Sequence, residues 1–339
     1  MRGRFLELFL LGMGIFLLMF YLAGPIDVVR NMLKINARYL ALFFLIQVVI
    51  MVVWAVKWRI VLRHTDVPLR KIIHISFVGT FVNNMAPMAM AGGEPTRAYI
   101  LSKTENVPTE KSVASVVIDL FLEIVAMLVI LFVTVVLSFR YEIPYRITMI
   151  LALAGLIVFG LFFVVILLLT NRKFALSIIN AAFWICERVP ILSGYVPNAR
   201  SRANEILKNF QNAMKETMMD RYVITCGTLA SLVNWFVTII RMYLIFGVIG
   251  IYVSLPTLLF VRLGMTIIGY LFMIPVPGAM GIWEGSGMWL FGFFGVSAAS
   301  ALAAVSIERL FSFWISSFIG ILSAIHLGLN YKQLATRKK

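Results

Sequence analysis

Carboxylates within apolar stretches are the residues of this sequence best placed to do chemistry. Asp119 and Glu308 lie inside long apolar runs, and Glu94 and Glu284 follow shorter runs that proline and glycine interrupt. A carboxylate is costly in hydrocarbon, so it marks a substrate site, a proton path or an ion pair.

Arginines within apolar stretches are the natural partners of these acids. Arg241 and Arg309 either neutralise Glu284, Glu308 or Asp119, or they contact a substrate. The residue types leave both roles open.

One end of a broken helix has the chemistry of a phosphate site. A helix that restarts at Pro95 presents free backbone N–H groups, with Glu94 near its cap and Arg97 one turn on. Phosphate suits such an end. Asn83 and Asn84 can add hydrogen bonds. Four glycines would let backbone or acyl chains approach closely: Gly92, Gly93, Gly278 and Gly281.

Cysteine and histidine are too sparse and too scattered for metal or cofactor chemistry. Two cysteines, Cys186 and Cys226, and three histidines, His64, His74 and His326, lie far apart. Neither a zinc spacing nor a phosphate-loop, dinucleotide or nucleophile-elbow motif is present. We expect no metal and no cofactor.

The elements that must position these residues are membrane helices. Of the 339 residues, 61% are hydrophobic and 13% are charged, and the mean hydropathy is +0.96. Uncharged runs such as Leu8–Ile26, Tyr39–Val56 and Ile147–Asn171 have about the 20 residues that a spanning helix needs. The sequence predicts an all-α polytopic integral membrane protein.

Two apolar stretches contain breaks that a simple span does not tolerate. The first, at about 72–103, contains Pro87 and the Gly92–Gly93 pair, and the second, at about 255–296, contains Pro277. Irregular backbone survives at membrane depth only where it is buried in protein or lines a cavity. We predict two re-entrant hairpins.

The two hairpins are similar in sequence. PMAMAGGE at 87–94 aligns with PGAMGIWE at 277–284, and ASVVID at 114–119 aligns with AAVSIE at 303–308. The prolines and the acids coincide, as do Gly79 and Gly269 before them. This pattern predicts two inverted repeats, with Glu94 and Glu284 as paired tips of an alternating-access site.

Basic residues predict how the chain is arranged across the membrane. We assign 1–170 and 222–331 to two membrane halves, 171–221 to a cytoplasmic interfacial segment with a helix at about 199–219, and 332–339 to a basic cytoplasmic tail. If each hairpin enters and leaves the membrane on the same side, 22 basic residues lie on one side of the membrane and five lie on the other. Both termini are therefore predicted to be cytoplasmic, in a multi-pass protein of the plasma membrane.

Two segments resemble a known family. FVNNMAPMAMAGGEPTRAYIL at 81–101 and IPVPGAMGIWEG at 274–285 resemble the transmembrane region of lysylphosphatidylglycerol synthases and of related bacterial and archaeal membrane proteins. The resemblance implies flipping of an aminoacyl-phospholipid or of a polyprenyl-phosphate lipid. It implies binding or gating roles for Asn83, Asn84, Pro87, Gly92, Gly93, Glu94, Arg97, Pro277, Gly278, Gly281 and Glu284.

Two departures from this family qualify the resemblance. The synthases carry a soluble C-terminal domain that transfers an amino acid, whereas this sequence ends soon after Tyr331, so we do not expect it to act as an enzyme in that synthesis. Many relatives have an arginine directly after the aspartate that matches Asp119, where this sequence has Leu120. Either Arg309 serves instead, or the substrate differs.

The predicted function is a flippase or scramblase for a phosphate-bearing polar lipid. Two alternatives stay open: an integral membrane enzyme that uses the buried acids on a lipid phosphate or glycan, and a membrane subunit of a lipid-modifying synthase. The expected partners are anionic or zwitterionic membrane lipids and a separate cytoplasmic lipid-modifying enzyme. Nucleic acid is not expected, because the basic residues are scattered between apolar runs.

Overall fold

Helices are the main secondary structure of the described residues. This computed structural model describes residues 2–85, 92–140, 145–177, 180, 196–271 and 276–329, and it has no β-strand among them. Among the described residues, four helices are long and apolar enough to cross a membrane: α3 (Ala37–Val61), α6 (Thr109–Arg140), α9 (Arg221–Ile249) and the continuous stretch Ala298–His326. The predicted all-α, multi-pass membrane protein is confirmed.

The N-terminal segment is a bent pair of helices. The chain turns by 96° between α1 (Arg2–Leu22) and α2 (Pro25–Met32), and the pair counts as a fifth span if its two parts are taken together. Gly24 makes the corner with a φ of 88°, a left-handed backbone that favours glycine. Asn31 in α2 donates to Ser300 and Lys34 donates to the carbonyl of Ile249, so α2 lies across the ends of later helices.

The first predicted break separates two helices of unequal length. Helix α4 (Leu69–Met85) precedes it and α5 (Gly93–Thr104) follows it, while Pro87 lies outside the described residues. Lys71 and Glu105 form an ion pair of 2.7 Å. The start of α4 and the end of α5 therefore lie at the same end of the bundle.

The second break has a similar plan. Helix α10 (Leu255–Leu271) is followed by a short turn, Pro277–Ala279, and then by α11 (Ile282–Gly292). Gly278 and Gly281 have φ values of 58° and 80°, which residues with a side chain rarely adopt. Glycine therefore makes the change of chain direction possible.

Helices of the two halves pack against one another. Helix α3 packs on α9, α6 packs on α10, and α4 packs on the end of the last helix. That last helix consists of α12 (Ala298–Arg309), a π turn (Leu310–Ile315) and α13 (Ser316–His326). The core is shared between the halves.

Two helices cover the outside of α6. Helix α7 (Tyr145–Thr170) packs against α6 and α10. The helix predicted near 199–219 is observed as α8 (Val196–Met218), and it buries Leu207, Phe210 and Met214 against α6.

Polar contacts define the two ends of the bundle. At one end, which we call the Asp220 end, Arg63 and His64 contact Asp220, and His74 stacks on His326 with ring centroids 4.4 Å apart. The opposite end holds the α2 contacts with Ser300 and Ile249 described above, and we call it the Asn31 end.

Candidate functional site

A cavity of about 340 Å³ lies between the two broken helices. Its walls include residues 47–54 of α3 and residues 234–241 of α9. Because both stretches are near the middle of long apolar helices, the cavity lies at mid-depth in the bundle.

Both breaks contribute to the lining of the cavity. Thr80 and Glu94 come from the first broken helix, and Gly269 and Trp283 come from the second. Of the residues that the sequence predicted as a site, those that line the cavity are Asn83, Asn84, Glu94, Arg241, Gly278, Glu308 and Arg309.

Asn83 and Glu94 join the two sides of the first break. The Asn83 amide donates to Glu94 Oε1 at 3.0 Å, and its oxygen accepts the Gly93 backbone N–H at 2.6 Å. Helix α5 consequently begins at Gly93, with Gly92 as its N-cap, and the predicted start at Pro95 was wrong by two residues. The Gly93 N–H, at the end expected to bind phosphate, is already satisfied by Asn83.

Asn84 connects the first break to the other half of the molecule. Its amide donates to the carbonyl of Phe313 at 3.2 Å and to the Ser317 hydroxyl at 2.9 Å. The end of α4 is thereby tied to the last helix at its π turn.

A buried cluster of ion pairs lies behind the first broken helix. Arg97 donates twice to Asp119, both at 3.1 Å, and its guanidinium lies 4.2 Å from the Trp54 ring. Lys57 lies 3.2 Å from Asp119 and 2.8 Å from Glu123. The predicted orientation counted Lys57 and Arg97 among the basic residues of the cytoplasmic side, whereas both are buried in the bundle.

A second cluster joins α3, α9 and α12. Arg241 donates to Glu308 at 2.6 Å and also to Gln47, and Ser312 donates to the other Glu308 oxygen at 3.1 Å. Arg241 and Glu308 are almost wholly buried, so each neutralises the other where an unpaired charge would be costly.

Glu284 supports the second turn from behind the cavity. It accepts the Gly281 N–H at 2.7 Å and the Arg309 Nε–H at 3.0 Å, and Arg309 donates in addition to the carbonyl of Gly278. Pro277 begins the same turn and is buried. Glu284 is not among the residues that line the cavity, whereas Glu94 is.

The ion pairs of the two halves correspond. Lys57 in α3 and Arg241 in α9 stand at the same distance from the first residue of their helices. Each pairs with the acid of the long helix that follows the break, Asp119 in α6 and Glu308 in α12.

The last helix departs from α-helical geometry beside the cavity. Its π turn covers Leu310–Ile315, and the Ser316 hydroxyl donates to the carbonyl of Phe311, five residues back. Ser312 and Ser316 line the cavity. Single π turns inside α-helices are frequent at functional sites.

Several cavity residues were missed as site residues in the sequence. Gln47 stands alone as a polar residue in an apolar run, which was the available signal. Glu123, which accepts the indole N–H of Trp235 at 2.8 Å, and Arg262 also line the cavity, and neither was predicted as a site residue. Over the described ranges, the structure brings no three His, Cys, Asp or Glu residues together at metal-binding distance.

Comparison with known proteins identifies the family. The sequence model described as lysylphosphatidylglycerol synthase TM region matches residues 6–320. The chain belongs to this family. It is 27% identical to a UPF0104 membrane protein of Methanothermobacter thermautotrophicus over 97% of both chains. It is 26% identical to one from Pyrococcus horikoshii, over 92% of this chain and 94% of the relative. No solved structure matches this chain.

Proposed function

We propose that this protein moves a phosphate-bearing polar lipid across the membrane, as a flippase or scramblase. The observation that carries the proposal is the charged cavity at mid-depth, lined from both halves of an otherwise apolar bundle. Large apolar side chains such as Phe139, Ile150 and Leu153 are mostly exposed on its outside, as lipid contact requires. A polar cavity inside such a bundle gives a lipid headgroup a path that avoids hydrocarbon.

The proposal includes two inverted repeats with re-entrant hairpins. In the first half, α5 and α6 have 12 and 32 residues, and in the second half α11 and the last helix have 11 and 29. The corresponding ion pairs and the packing of α6 on α10 and of α4 on α13 support the same symmetry. Repeats of this kind let a site open alternately to each side.

The proposed orientation places the Asp220 end in the cytoplasm of a plasma-membrane protein. Removing buried Lys57 and Arg97 from the loop charges still leaves a large excess of basic residues on that side. Both termini are then cytoplasmic, and α8 is available to a separate cytoplasmic lipid-modifying enzyme.

The family points to the class of lipid. Its description names lysylphosphatidylglycerol synthases, which favours an aminoacyl-phospholipid as cargo. A polyprenyl-phosphate lipid, which carries the same phosphate chemistry, is the alternative cargo. Transport, not catalysis, is proposed; conversion of a lipid phosphate or glycan by the purified protein alone would contradict it.

The test uses Glu94, which lines the cavity and retains one buried oxygen without a hydrogen-bond partner among the described residues. Glu94→Gln keeps the side-chain volume and removes the charge. We expect the purified variant to fold normally and to move fluorescent phosphatidylglycerol in proteoliposomes about 10-fold more slowly, since bonds to charged groups contribute roughly 1.5–3 kcal/mol.

The control is Glu205→Gln, because Glu205 is an exposed acid on α8. This variant should move the lipid at the wild-type rate. Wild-type protein that moves no phosphate-bearing lipid, or a folded Glu94→Gln variant that moves it at full rate, would defeat the proposal.

A further inference from the structure

Arg262 is a cavity-lining cation, and two of its nitrogen donors have no hydrogen-bond partner among the described residues. It lies midway along α10, and its side chain is 21% exposed. Its Nε and Nη1 atoms are buried without a hydrogen-bond partner among the described residues. The nearest carboxylate, Glu308, lies 3.8 Å away and is held by Arg241 at 2.6 Å.

The other arginines of the site differ from Arg262. Arg97 donates twice to Asp119, and Arg241 and Arg309 each donate to a carboxylate and to a further oxygen. Their pairing is a sufficient reason for their presence in a low-dielectric interior. Arg262 lacks such a reason within the described chain.

Trp283 adds a second unused donor beside Arg262. The Arg262 guanidinium lies 5.2 Å from the Trp283 ring, a distance that permits a cation–π contact. The indole N–H of Trp283 is buried and has no acceptor among the described residues. Both residues line the cavity, so the two side chains offer several donors and one positive charge to the same space.

The repeat does not explain Arg262 either. Seven residues before the aligned glycines Gly79 and Gly269, the first half carries Ile72 and the second carries Arg262. Ile72 is fully buried in the core. The cation is thus specific to the second half. Such a difference is expected for a residue that contacts a ligand, because one asymmetric ligand meets different groups on two similar halves.

We propose that Arg262 and Trp283 form the anion subsite of the cavity, and that this subsite holds the phosphate of the lipid headgroup. A planar guanidinium can donate two parallel bonds to phosphate oxygens, and the indole N–H can donate a third. The inference rests on the proposed function, because it names the group that the cavity binds.

The test is binding by the purified full-length protein in detergent. The probes are dioctanoyl phosphatidylglycerol and inorganic phosphate, measured by calorimetry. Arg262→Gln should weaken binding about 10- to 100-fold, the range expected for a lost charge-assisted bond. Trp283→Phe should weaken it less, and Arg262→Lys should restore part of it. Arg38→Gln removes an equal charge from an exposed position and should bind as the wild type does.

Thermal unfolding separates a ligand contact from a structural role. Because the Glu308 oxygen lies 3.8 Å from Arg262, beyond hydrogen-bond distance, Arg262→Gln without ligand should unfold near the wild-type temperature, whereas Arg241→Gln should unfold well below it. If Arg262→Gln binds phosphatidylglycerol more weakly but binds inorganic phosphate as the wild type does, the subsite recognises the phosphate of a lipid headgroup. A parallel loss of inorganic phosphate binding shows that the phosphate group suffices.

Two results would overturn the subsite: wild-type affinity in Arg262→Gln, or a fall in its unfolding temperature as large as that of Arg241→Gln. The proposed function fails differently. If the wild type binds phosphatidylglycerol through Arg262 and moves no lipid in proteoliposomes, the subsite stands and transport is wrong.

Discussion

Acidic and basic side chains inside the bundle are matched in number. The bases are Lys57, Arg97, Arg241, Arg262 and Arg309, and the acids are Glu94, Asp119, Glu123, Glu284 and Glu308. Matching of charges makes their burial tolerable, since an isolated ion in such an interior is costly. Among the described residues, Arg262 has two buried side-chain atoms without a hydrogen-bond partner, and one such atom each is found in Glu94, Arg97, Asp119 and Arg241.

Glu284 and Glu94 differ in what their carboxylates hold. Glu284→Gln leaves Arg309 without its anion and weakens the bond to the Gly281 N–H. We expect a loss of stability on the order of 3 kcal/mol, measured as a lower thermal unfolding temperature in detergent. Glu94→Gln is the matched comparison and should unfold near the wild-type temperature. Equal unfolding temperatures of Glu284→Gln and wild type would show that the second turn does not depend on this carboxylate.

At the scale of elements, the broken helices owe their close packing to glycine. Gly79 in α4 and Gly93 at the start of α5 bring the two backbones together. A Cβ at Gly93 would contact the Gly79 carbonyl and lie 2.6 Å from Asn83 Cγ. This crossing positions Asn83 to bond across the break, and Asn83 in turn orients Glu94 in the cavity.

Gly93→Ala should therefore separate α4 from α5. We expect a loss of roughly 1–3 kcal/mol, typical of overpacking, together with slower lipid movement, because Glu94 loses its orienting bond. Gly14→Ala is the control: Gly14 is exposed on α1 and a Cβ there would meet no atom within 4 Å. This control should gain up to about 1 kcal/mol from helix propensity. The crossing would prove dispensable if both variants unfolded and transported alike.

At the scale of the whole molecule, the shared core makes each half incomplete without the other. Helix α4 packs against α13 of the opposite half, and α6 packs against α10. The cavity consequently has walls from both halves. A rocking motion of one broken helix would change the shape of the cavity, while the buried ion pairs would keep each long helix in place.

The topology can be tested on the whole protein in intact cells. In a background with Cys186 and Cys226 replaced by serine, single cysteines at Lys71, Glu105 and Lys208 should label from the cytoplasm, and one at Arg38 should label from outside. The ion pair between Lys71 and Glu105 requires the first two to agree. Labelling of these two positions from opposite sides would eliminate the first re-entrant hairpin.

The sequence alone determined that the helices of this protein lie in a membrane, because the length and apolarity of a stretch of residues decide whether its helix prefers lipid. It also located both breaks, since proline and glycine act on the local backbone. Helix α5 begins at Gly93 after the first break, and the turn Pro277–Ala279 lies at the second, where the interruptions were predicted.

Only the tertiary structure decided which buried acid pairs with which buried base. The sequence indicated that Asp119 lies in an apolar run and that Arg97 lies one turn into a helix, but packing of α3, α5 and α6 brings both together with Lys57. The same packing gives Glu94 and Glu284 different surroundings, although they occupy equivalent places in the aligned segments. Glu94 lines the cavity, whereas Glu284 accepts a hydrogen bond from the backbone of the second turn. Burial and pairing are long-range properties: a residue's neighbours in space come from distant parts of the chain, so its type and spacing leave its partner undetermined.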